Sequence, residues 1–133
     1  MNLLLAVMLW ATVVFPSGNI YTVELATTPA QWTRGLSGRS SLAPNQGMLF
    51  VFPQPQVQYF WMKDMKFPID IIWLDENYTV LGAVENAPPC KDNCPTYNSR
   101  VPAKYVLEVP AGTVKREGLK SGGRLIVQYT NRR

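Results

Sequence analysis

Residues 60–74 read Phe-Trp-Met-Lys-Asp-Met-Lys-Phe-Pro-Ile-Asp-Ile-Ile-Trp-Leu, which sets Lys63, Asp64, Lys66 and Asp70 among ten apolar side chains and one proline. Charge buried in such surroundings is costly unless it is paired or hydrogen-bonded. Any fold of this chain must therefore bring counterparts to these ions across neighbouring strands. Those meetings either clamp the architecture or face a ligand.

Eleven prolines and nine glycines punctuate the 133 residues too often for long helices, and 47% hydrophobic residues supply a core for one domain. The pattern predicts a mainly β fold with two short helices. A hairpin is expected from residues 11–15, turned by Pro16-Ser17-Gly18-Asn19, into residues 20–26. Thr27-Thr28-Pro29 reads as a helix start, a hydroxyl cap followed by proline in the first turn. Residues 48–52 are a continuous apolar run expected to be a buried strand ended by Pro53 and Pro55, and residues 56–62 a further strand. In residues 69–74, Asp70 shares a face with Ile72 and Leu74, opposite Ile69, Ile71 and Trp73. Residues 75–78 turn into a strand over 79–85, and residues 87–101 read as a long loop. In residues 103–109, Glu108 points with Lys104 and Val106 away from Tyr105, Leu107 and Val109. A short helix over 111–118 and a last strand over 124–129 complete the domain.

The absence of histidine excludes a Ser-His-Asp or Cys-His nucleophile, a histidine metal site and histidine acid–base catalysis. Two cysteines without histidine cannot complete a zinc site, and no Gly-rich phosphate loop is present. No cofactor or metal is expected. Cys90 and Cys94 lie in a proline-flanked loop and are read as a local disulfide pinning it, which points to an oxidising compartment. Residues 1–99 carry five Lys/Arg against seven Asp/Glu, and residues 100–133 carry eight against two. The basic half is read as a solvated face rather than a nucleic-acid surface, because no basic run of five or more accompanies it.

Residues 3–15 are almost wholly apolar, too short to span a bilayer but suited to the core of a signal peptide. No Lys or Arg precedes them, and no small-x-small cleavage site follows. The competing division makes residues 1–10 an export or anchoring stub, with membrane attachment through it, and residues 11–133 the domain. The expected location is extracytoplasmic, in the periplasm or cell envelope.

Seven motifs in one order resemble the DUF192 family (domain of unknown function 192). They are Val23-Glu24-Leu25-Ala26, Gly35-Leu36-Ser37-Gly38-Arg39, Gly47-Met48-Leu49-Phe50, Phe60-Trp61-Met62-Lys63-Asp64-Met65, Pro68-Ile69-Asp70-Ile71, Tyr105-Val106-Leu107-Glu108 and Ser121-Gly122-Gly123. Ser37 stands where the family carries methionine, and Asp64-Met65 where it carries Asn-Thr. The resemblance implies a compact, mainly β fold with short helices, often exported or lipid-anchored, and the expected architecture is a strongly twisted, barrel-like sheet in a single α+β domain. It implies no established activity.

The candidate ligand-binding residues are Arg39, Trp61, Lys63, Asp70 and Glu108, with Tyr97 as an outlier. Together they would form a polar patch in an aromatic-lined cleft for a small polar ligand or saccharide, on a monomeric binding or accessory module. A competing reading makes them internal, as Arg39–Asp70 or Lys63–Glu108 ion pairs in a structural envelope protein, with Trp61 and Met62 in the core. Another pairs Asp70 and Glu108 as the carboxylates of a small hydrolase.

Overall fold

Alternation of side chains along each strand sorts the apolar residues of this chain onto the two faces of one sheet. In the computed structural model, which describes residues 9–131, the elements follow as β1 (Leu9–Val14), β2 (Ile20–Ala26), α1 (Pro29–Arg34), β3 (Gln46–Gln56), β4 (Tyr59–Trp61), β5 (Ile69–Leu74), β6 (Val80–Ala87), β7 (Thr96–Asn98), β8 (Ala103–Pro110), α2 (Thr113–Arg116) and β9 (Ile126–Asn131). Seven strands form one sheet in the order β6-β5-β8-β3-β2-β1-β9, and β4 and β7 pair as a separate ribbon. Neighbours are antiparallel except β2 and β3, which run parallel because α1 lies in the connection between them. The sheet curls until its two ends touch: Leu125 N–H donates to the Tyr78 carbonyl (3.0 Å) and Val80 N–H to that of Gly123 (2.8 Å). The result is the barrel-like, mainly β domain expected from the sequence, tied at one point rather than closed.

One face buries Val13, Tyr21, Leu49, Ile72, Leu74 and Leu107, and α2 adds Val114 to it. The other buries Met48, Phe50, Ile69, Ile71, Trp73 and Val106, and is covered by α1 and the β4–β7 ribbon. β5 lies between two neighbours with both faces covered, and all six of its residues are buried. β3 comes unusually close to β8 at Gly47, where a Cβ would stand 2.4 Å from the Glu108 carbonyl oxygen. Only glycine permits that approach.

Four expectations are revised. Residues 1–8 of the proposed stub lie outside the described residues, whereas Leu9 and Trp10 extend β1, opposite Asn131 and Thr130 of β9. Pro53 and Pro55 do not end β3, because its pairing with β8 is irregular between Val51 and Gln56 and no ladder donor is needed there. Residues 56–62 are not one strand. The Gln58 N–H donates to Ser99 Oγ (3.0 Å) and its Nε2 to the Ala103 carbonyl (3.3 Å), and β4 beyond it leaves the sheet to pair with β7. The segment expected to be a plain loop thus contributes a strand.

Candidate functional site

The site is built where α1 crosses the second face. Thr28 caps the helix, accepting from Gln31 N–H (3.3 Å) while Gln31 Oε1 accepts from Thr28 N–H (3.2 Å). Trp32 Nε1 donates to the Ala26 carbonyl (3.0 Å) and fixes the helix against the end of β2. Gly35 ends the helix at φ +50°, and a Cβ there would press on the Phe50 ring at 3.2 Å. The chain beyond is held by Gly38 N–H, which donates to the Asp64 carbonyl (3.1 Å). Asp64 occupies the left-handed region at φ +61°, where Asp and Asn are tolerated best among residues with a Cβ. Asp64 thus retains the backbone role that asparagine would fill.

The cysteine loop clamps the same turn. Cys90 and Cys94 form the expected disulfide, with Cα atoms 5.6 Å apart. Asp64 N–H donates to the Cys90 carbonyl (3.0 Å), and Cys90 N–H to that of Met62 (3.2 Å). Reduction with dithiothreitol is expected to remove about 2 kcal/mol, the loop-entropy value for so short a closure. Hydrogen exchange should show the loss first at the Asp64 and Gly38 amides. Unchanged protection at both would separate the disulfide from this turn.

Between α1, β3, β4 and β8 lies a cavity of about 320 Å³. Trp32, Phe50 and Phe60 supply apolar wall, and Phe50 and Phe60 pack edge to face at 4.9 Å. Arg34 and Lys63 line its exposed rim. Trp61 stands at the mouth, 55% exposed, with Lys63 Nζ 5.4 Å from its ring centroid. Glu108 lies within, only 4% exposed, with Oε1 turned towards Gly35. Among the described residues no hydrogen bond reaches its carboxyl group, and burial pushes that group up to about 8. Near neutral pH the carboxyl is therefore mostly protonated and able to donate.

The structure brings Trp61, Lys63 and Glu108 together and leaves Arg39 and Asp70 elsewhere. Arg39 forms a two-pronged pair with Glu24, not with Asp70. A pair this exposed contributes up to about 1 kcal/mol. Asp70 is fully buried and accepts N–H bonds from Asn86 (2.8 Å), Gly112 (3.3 Å) and Val114 (2.8 Å), tying β5 to β6 and to the start of α2. Lys63 and Glu108 border one cavity without forming a salt bridge. The paired-carboxylate hydrolase is overturned. Asp70 stands opposite Val109 and Ile71 opposite Glu108 in the β5–β8 register, so the two carboxyl groups point to opposite faces of the sheet.

Met62 is in the core as expected, while Trp61 is not. Tyr97 sits opposite Phe60 in the ribbon and packs on the apolar cluster. Ser37, in place of methionine, donates to the Arg34 carbonyl (2.7 Å) and leaves that edge of the cavity small and polar. Sequence reasoning missed Trp32 and Arg34. Their signal was the connection between β2 and β3, because a helix there must lie across the sheet face.

The family model DUF192, described as Uncharacterized ACR, matches residues 12–127. Among solved structures, a proposed transcription regulator from Sinorhizobium meliloti 1021 superposes with a TM-score of 0.82 at 36% identity, covering 92% of this chain and 96% of that one. A protein of unknown function from Novosphingobium aromaticivorans DSM 12444 gives 0.79 at 29% identity, covering 95% and 90%. No curated protein matches the chain.

Proposed function

The chain belongs to the DUF192 family, and on that premise we propose that it is an extracytoplasmic binding module for a small polar ligand, held in the cavity beneath α1. The observation that carries this reading is Glu108, a nearly buried carboxyl group without a hydrogen-bonding partner among the described residues, facing an aromatic-lined space. A purely structural role would favour an apolar residue at this position, since a carboxyl in so apolar a setting, its oxygens open only to the cavity, lowers stability once it ionises. The volume suits a small molecule. The disulfide supports an oxidising location.

The test is a thermal-shift screen of mono- and disaccharides, amino acids and betaines against the wild type and Glu108→Gln. The reading expects at least one compound to raise the wild-type melting temperature by several degrees and that of the variant by much less. Equal shifts in both proteins across the whole set, or none in either, would overturn it.

A further inference from the structure

The charges around the cavity are arranged by depth, and that arrangement constrains its occupant. Inside, Glu108 is the sole acidic lining residue among the described residues. α1 contributes Arg34 to the lining, and the β4 segment contributes Tyr59 and Lys63. β3 and β5 surround the glutamate with apolar residues, Met48 and Ile71 standing directly opposite it in the two registers. An acid therefore lies within and two cations at the mouth, separated by aromatic wall.

A wholly anionic guest would satisfy Arg34 and Lys63 but would bring a second negative group towards Glu108. A wholly cationic guest would suit Glu108 and the aromatic rings, which attract cations, but would have to pass two like charges. A neutral guest would leave the rim cations unmatched. A molecule with an ammonium group at one end and a carboxylate at the other matches every charge. We propose that the cavity takes a small zwitterion, its ammonium group inward against Glu108 and the aromatic wall, its carboxylate outward at Lys63 and Arg34. This inference rests on the ligand-binding reading above.

Binding then couples to one proton. The carboxyl of Glu108 gives its proton to solvent as the ammonium enters, and the ion pair replaces the neutral acid. Because burial holds this carboxyl at about 8, the deprotonated form favoured by the ligand grows with pH. Affinity should rise about tenfold between pH 7 and pH 9 by linkage. A ligand that merely accepts a hydrogen bond from the protonated acid shows the opposite slope.

The experiment is isothermal titration at both pH values with trimethylammonio carboxylates of one, three and five methylenes, alongside tetramethylammonium, acetate and glucose. The expected result is binding of at least one zwitterion, stronger than each single-charge probe and strengthening about tenfold at pH 9. Glu108→Gln should lose that pH dependence and most of the affinity while remaining folded by circular dichroism. Lys63→Met should weaken the zwitterion and spare tetramethylammonium. Failure of every zwitterion, the amino acids and betaines of the thermal screen included, while glucose or another saccharide still binds overturns this inference alone. Failure of every compound in both experiments overturns the ligand site as well.

Discussion

Glu108→Gln is expected to leave stability nearly unchanged at pH 4 and to raise it by on the order of 5 kcal/mol at pH 9. Burial lifts this carboxyl from its ordinary 4.5 to about 8 in the folded protein. Below 4.5 the group is protonated whether the chain is folded or not, so it contributes no difference. Between the two values the unfolded chain releases its proton and the folded chain keeps it. Stability therefore falls as pH rises through this window, by about 1.4 kcal/mol per pH unit, and levels off above 8. Glutamine fills nearly the same volume and does not ionise, so this fall disappears. Urea unfolding of both proteins from pH 4 to pH 9 measures the effect. Other titrating groups contribute to both curves and largely cancel in the difference. Parallel curves would show that the folded carboxyl is solvated or partnered, which would remove the physical basis of the proposed site.

Asp70→Asn should cost roughly 3 kcal/mol, with one or two bonds at stake and about 1–3 kcal/mol for each buried donor left unmatched. One carboxylate oxygen accepts from Asn86 and Gly112 and the other from Val114, at 2.8 to 3.3 Å. An amide has only one accepting oxygen. If it serves the first two donors, its NH₂ confronts the Val114 N–H; if it flips, two donors are lost instead of one. The melting temperature should drop by several degrees, and hydrogen exchange should accelerate at Asn86, Gly112 and Val114 before the rest of the sheet. Ligand affinity measured well below the melting temperature should hold, since Asp70 faces away from the cavity. A variant as stable as the wild type would refute the clamp.

The two contrasting carboxylates show what the sequence made legible. Alternation in residues 69–74 and 103–109 placed Asp70 and Glu108 on the correct faces of their own strands, because period two belongs to the backbone. What period two cannot supply is the register between strands. The offset that puts Asp70 opposite Val109 is set by the packing of the whole sheet, and without it two acids on separate strands looked capable of meeting. The same gap misassigned the ion pairs: the partner of Arg39 is Glu24 on β2, brought near by the chain following α1. Helix α1 was visible at its start, because Thr28 and Pro29 are local signals. The ribbon was missed because β7 has only three residues inside a proline-rich segment and exists through its pairing with β4.

The pairing of β1 with β9 joins residues some 120 positions apart, as at Trp10 and Thr130. Until β9 has been synthesised, β1 has β2 alone beside it and its other backbone edge stays open. Contacts of such long sequence separation form slowly. A nascent chain of this design therefore remains incompletely folded until its last strand is made, however early its first hairpin forms.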